Sequence, residues 1–209
     1  MRCTAFLRAT ARRNFYMLKQ RRIETETLVL GAILTALVVV LQLMGSFVRF
    51  GPFSISLVLV PIVIGASKCG VKIGAWLGFV FGLVVLLSGD AAAFLAVDVF
   101  GTIVTVMVKG TACGLVAGLV YKLLAKYNIY LAVIAAAVAC PVVNTGIFLV
   151  GCAAFFMETV TEWGTALGFE NAASYMFIGL AGGNFLFELA TNIVLSPVVV
   201  RLLNNKKKA

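Results

Sequence analysis

The sequence predicts an all-α fold, a polytopic membrane protein built as a six-transmembrane-helix bundle with both the N- and C-termini cytoplasmic. Three observations carry this reading. The 209 residues are 62% hydrophobic and only 12% charged, with a mean hydropathy of +1.09, which leaves too little polar surface to cover a water-soluble domain. Six apolar runs approach or reach the ~20 residues that a helix needs to cross the ~30 Å hydrocarbon core. Finally, of the 17 basic residues, nearly all sort to one side of alternate crossings.

In order, the runs are Leu28 to Val48, Phe50 to Ser67, Ile73 to Gly89, Phe100 to Leu124, Asn128 to Phe156 and Ser174 to Leu203. The second is short and contains Pro61. The fourth is apolar apart from Lys109, and the sixth contains Glu188 before Arg201. Lipid offers backbone groups no hydrogen-bond partners, so continuous apolar runs of this length are read as helices. A β-barrel would instead alternate polar and apolar residues in short segments.

The charges set the orientation, because cytoplasmic loops collect Lys and Arg. Arg2, Arg8, Arg12, Arg13, Lys19, Arg21 and Arg22 precede the first run, and Lys68 and Lys72 separate the second from the third. Lys122 and Lys126 separate the fourth from the fifth, while Arg201, Lys206, Lys207 and Lys208 end the sixth or follow it. The opposite loops hold Arg49 with Asp90, Asp98, Glu158, Glu162 and Glu170. Six crossings with both ends inside satisfy this sorting, and an odd number does not. The predicted location is therefore the cell (plasma) membrane, as a multi-pass protein. Residues 1–23 read as a basic cytoplasmic tail, 24–203 as one transmembrane substrate-binding domain, and 204–209 as a second basic tail. A transit peptide or an amphipathic surface helix is the alternative for the Arg-rich start, and no cleavable signal peptide is expected.

The net charge of +9 does not point to nucleic acid, because the cations are dispersed over short juxtamembrane loops without aromatic interleaving. Anionic lipid headgroups are the expected partner. Five cysteines without paired spacing and the absence of histidine give no disulfide framework, no metal site and no catalytic base. No Walker motif is present. Neither a catalytic residue nor a cofactor is predicted, and the isolated acids argue against a membrane-embedded enzyme acting on lipids.

Two kinds of feature remain as candidates for function. Gly74, Gly78 and Gly82 in the third run, and Gly110, Gly114 and Gly118 in the fourth, form small-residue stripes. Ala32 and Ala36 form a shorter one in the first. Such stripes let helix backbones approach closely, and packing inside the bundle is their ordinary use. The intramembrane polar residues carry more information, since an ionisable group there costs at least ~2.5 kcal/mol on insertion scales. At 1.5 Å rise per residue, Lys109 and Glu188 lie at similar depth, ~20 Å from the inner edge. Asn144 and Asn184 lie slightly further out, and Asn184, Glu188 and Asn192 share one helical face. These residues predict a pocket for a small polar molecule. Lys109 would hold a carboxylate, phosphate or carbonyl, Asn144 and Asn184 would make directional hydrogen bonds, and Glu188 would accept from a donor or fix the lysine. The competing reading is a Lys–Glu staple without a ligand. Pro141 could bend the fifth run around the cavity. The segments Gly89 to Val99 and Met157 to Ala173 are the natural lids.

With its size, its six runs and the strings GAILTALVVVLQL, VKGTACGLVAGLVYKLL and NFLFELATNIVLSPVVVRLL, the chain resembles the substrate-binding S components of energy-coupling factor (ECF) vitamin transporters. The resemblance implies capture of a small vitamin from outside. It also implies docking, through Ala32 and Ala36, onto a transmembrane scaffold (T) subunit that carries two ATPase subunits. Riboflavin, pantothenate and folate all remain open, with the lysine favouring an anion such as pantothenate. The alternative is a stand-alone secondary transporter or small channel, against which the lack of a visible inverted repeat argues.

Overall fold

The computed structural model describes residues 2–47, 49–50, 53–54 and 57–204. The chain is built of helices, apart from a two-residue pairing of β1 (Arg49–Phe50) with β2 (Phe53–Ser54). The helices are α1 (Arg2–Phe47), α2 (Leu59–Cys69), α3 (Val71–Leu87), α4 (Ala92–Leu95), α5 (Val99–Leu124), α6 (Ile129–Phe155), α7 (Met157–Ala166) and α8 (Ala172–Ser174). A π-helical stretch, Tyr175–Gly182, then leads directly into α9 (Gly183–Asn204). Among the described residues, four segments are long and apolar enough to cross a membrane: Glu24–Ser46, Val99–Leu124, Ile129–Phe155 and Ala172–Arg201.

The second and third apolar runs fold into shorter helices of 11 and 17 residues, or roughly 16 and 25 Å of rise. The expected span from Phe50 to Ser67 is thus not one continuous helix. Phe50 and Phe53 pair as strand residues, and the helix begins only at Leu59. Pro61 explains the start point: it stands in the first turn of α2, where its missing N–H has no intrahelical partner to lose. Gly70 divides α2 from α3 at φ 91° and ψ 175°, a conformation open to glycine and strained for residues with a Cβ.

The two glycine stripes meet each other. Packed antiparallel, α3 and α5 bring Gly74 against the Gly114 carbonyl, Gly78 against that of Gly110 and Gly82 against that of Val106. A Cβ at Gly74 would lie 2.6 Å from the Gly114 oxygen, and one at Gly82 would lie 2.9 Å from the Val106 oxygen. The stripes therefore serve packing inside the bundle. Around them, Leu34 and Val38 of α1, Ile62 and Val63 of α2, Leu77 and Phe81 of α3, and Cys113 and Ala117 of α5 form the main core. Helix α1 buries Gly31, Leu34, Val38, Gln42 and Ser46 against this core, while Ala32, Ile33, Ala36, Leu37 and Val40 face outward.

The helix ends separate the charges. Lys68, Lys72, Lys122, Lys126 and Arg201 sit at one end of the bundle, whereas Asp90, Asp98, Glu158, Glu162 and Glu170 lie in the connections at the other.

Candidate functional site

At the acidic end the helices enclose a cavity. Its walls come from the C-terminal parts of α1 and α3, the N-terminal part of α5, the second half of α6, and the junction of the π-helical stretch with α9. The space open to water centres is ≈ 100 Å³. One water needs about 10–15 Å³ by that measure, so a cluster of waters or a small organic molecule fits.

All four polar residues singled out in the sequence, Lys109, Asn144, Asn184 and Glu188, line this cavity. Glu188 is 1% exposed and Asn144 4%. On α9, Asn184 Nδ2 donates to Glu188 Oε1 at 3.2 Å, and one turn further Asn192 Nδ2 donates to the Glu188 backbone carbonyl at 2.8 Å. Asn192 and Ser196 are buried below them, and Ser196 Oγ donates to the Asn192 carbonyl at 2.8 Å. The predicted polar face of the helix is therefore an internally bonded ladder that ends in the cavity.

Four lining atoms are left over. Among the described residues, Thr105 Oγ1, Asn144 Oδ1, Asn184 Oδ1 and Glu188 Oε2 are buried without a hydrogen-bond partner. Each such group costs about 1–3 kcal/mol unless something polar meets it. Lys109 does not close on Glu188 Oε2, so the two do not form the staple of the competing reading at that atom. The Lys109 ammonium instead lies over the Phe148 ring, 5.1 Å from its centroid, at a distance typical of cation–π attraction.

The roof is aromatic. Phe94 of α4 meets Phe148, Phe156 and Trp163 edge-on, with ring centroids 5.6, 5.2 and 5.5 Å away. This contact joins the two segments expected to be lids, since Phe94 lies between Gly89 and Val99 and Trp163 belongs to α7. Asp90, in the same connection, accepts a hydrogen bond from Gln42 Nε2 of α1. Asp98 begins α5 as its N-cap, taking the Phe100 N–H at 3.0 Å. That cap fixes the start of the helix, and with it the height of Thr102, Thr105 and Lys109.

Several lining residues were not singled out from the sequence: Gln42, Asp90, Phe94, Thr102, Thr105, Phe148 and Cys152. Some had a readable signal. Thr102, Thr105 and Lys109 share a helical face, as do Asn144, Phe148 and Cys152. Gln42 is an amide in an otherwise apolar run. The π-helical stretch had none, although it brings Leu180 and Ala181 to the cavity wall; π-turns occur frequently at functional sites. Pro141 lies inside α6, three residues before Asn144, in a helix that continues through it. Among the described residues no group of acids and cysteines is arranged to hold a metal ion. Ala32 and Ala36 lie on the outer face of α1, away from the cavity.

A family model described as ECF transporter, substrate-specific component, matches residues 26–203. Searches of curated proteins and of solved structures returned no match.

Proposed function

Because the chain belongs to the family of ECF transporter substrate-specific components, we propose that it is the substrate-capture (S) subunit of an ECF-type ABC importer. In this reading it takes a small vitamin into the cavity from the extracellular side and delivers it inward when docked on a scaffold (T) subunit with two ATPase subunits. One observation carries the binding half: four buried polar atoms without partners, together with an unclosed lysine, converge on one cavity. A structural core satisfies its polar groups internally. A binding site leaves them for its ligand.

Lys109, Asn144, Asn184 and Glu188 are the proposed substrate contacts, with the aromatic roof of Phe94 and its neighbours excluding water. Ala32 and Ala36 are the proposed docking residues. They are exposed beside Ile33 at 59% and Val40 at 50%, a small-residue face that a partner helix can approach closely. In the same reading the basic end of the bundle faces the cytoplasm and the cavity end the outside, in a plasma membrane crossed six times with anionic lipids around the basic loops, and the charge sorting supports it.

The test is uptake into sealed vesicles containing the chain alone, compared with vesicles that also hold the scaffold and ATPase subunits. Concentrative, ATP-dependent uptake only in the second set is the expected result. Ion-driven accumulation by the chain alone would establish the stand-alone transporter instead.

A further inference from the structure

The cavity also constrains the kind of molecule it holds, and this step rests on the binding reading above. Asn184 is the informative residue. An asparagine side chain fits either way round unless a bond fixes it, and here the Nδ2 donates to Glu188 Oε1. The free atom of Asn184 is therefore its carbonyl oxygen, an acceptor. Its neighbour on the same face, Glu188 Oε2, is an acceptor in the ionised carboxylate and is likewise unpartnered. Two buried acceptors side by side need hydrogen-bond donors from the ligand. Thr105, whose hydroxyl can turn either way, complements whatever lies beside those donors.

Charge adds a second constraint. The Lys109 cation would draw an anion by itself, but Glu188 lies within electrostatic reach of it and lines the same cavity. Asp90 lines the cavity as well, so its carboxylates already match or outnumber the one ammonium, and a ligand with a net negative charge would bring its anion beside the buried Glu188 with no surplus cation to offset it. Lys109 is then a donor for a ligand carbonyl or ring nitrogen, set against the Phe148 face.

We infer that the ligand carries no net negative charge, presents an edge of at least two N–H or O–H donors to Asn184 Oδ1 and Glu188 Oε2, and directs an acceptor toward Lys109. This reverses the preference for an anion that the lysine alone suggests.

The full chain in lipid nanodiscs would be titrated with riboflavin and thiamin, which are uncharged and cationic donors, and with the anions pantothenate and folate. Small molecules that copurify would be identified by mass spectrometry. The expected result is that the tightest probe, or the copurified molecule, has no net negative charge, and that Glu188→Gln weakens it at least tenfold. If that variant fails to insert, Asn184→Ala should weaken the same ligand. Tightest binding of pantothenate or folate, a copurified anion, or tighter binding by Glu188→Gln would overturn the inference while leaving the binding reading intact. No binding of any probe and no copurified molecule would overturn both.

Discussion

Adding one methyl group where α3 crosses α5 should cost the protein more than any single surface change. In Gly78→Ala the new Cβ would stand within van der Waals overlap of the Gly110 carbonyl oxygen, 2.9 Å from its carbon and 3.3 Å from Thr111 Cα. Backbone cannot rotate aside as a side chain can, so the helices must separate. A gap of about 0.5–1 Å forfeits a quarter to a half of each dispersion contact along the stripe, and overpacking of this kind costs about 1–3 kcal/mol. A clash with backbone belongs at the upper end of that range, and alanine returns about 0.5–1 kcal/mol through its better helix propensity, leaving a net loss of about 2 kcal/mol. Gly146 of α6 is the internal control, since nothing lies within 4 Å of its Cβ position. Gly146→Ala should therefore gain about 0.5–1 kcal/mol. Thermal unfolding of both variants in one detergent at one scan rate reads the difference, with Gly78→Ala lowered by about 4–8 °C. An unchanged midpoint for Gly78→Ala, or an equal fall for Gly146→Ala, would refute the reasoning.

Three further outcomes are expected. Lys109→Ala should weaken ligand binding at least tenfold, about 1.4 kcal/mol, in a protein that still inserts, because it strips the cavity of its cation; equilibrium titration checks it, and unchanged affinity removes Lys109 from the site. Replacing Ala32 and Ala36 together by phenylalanine should abolish copurification with the scaffold and ATPase subunits and leave ligand affinity within about twofold, since the face lies away from the cavity. Gln42→Leu should speed ligand release severalfold by removing the bond from α1 to Asp90, a net loss of about 0.5–1.5 kcal/mol for a typical hydrogen bond. Stopped-flow dissociation measures it, and an unaltered rate would show that the bond does not hold the cavity closed.

Hydropathy and charge made the helical architecture legible, because crossing lipid imposes a length and a composition that few other demands mimic. Lys109 and Glu188 were readable for the same reason, as the ionisable groups buried deepest in apolar runs. Asn184, Glu188 and Asn192 followed from a four-residue spacing on one face. What the runs could not show was where apolar sequence stops being helical: Phe50 and Phe53 are as apolar as their neighbours, yet they pair as strands before α2 starts. Nor could spacing say which glycine stripe faces which, since the register of Gly78 on Gly110 depends on two helices at once. The Gln42–Asp90 bond joins residues 48 positions apart, and only the folded bundle brings them together. The aromatic roof was hidden likewise, because Phe94 comes from α4, Phe156 from the link between α6 and α7, and Trp163 from α7.

That bond gives α1 two duties. One face of the helix looks out of the molecule through Ala32 and Ala36, while the other reaches the cavity roof through Gln42 and Asp90. A partner that gripped the outer face and shifted the helix would change how firmly the roof is held, and so would change affinity for the contents. Thermodynamic linkage makes that exchange symmetrical: if a partner on α1 loosens the cavity by some factor, a filled cavity weakens the partner's hold by the same factor. A full subunit and an empty one would then compete unequally for one docking place, and occupancy would be legible from outside the protein without the ligand ever being touched.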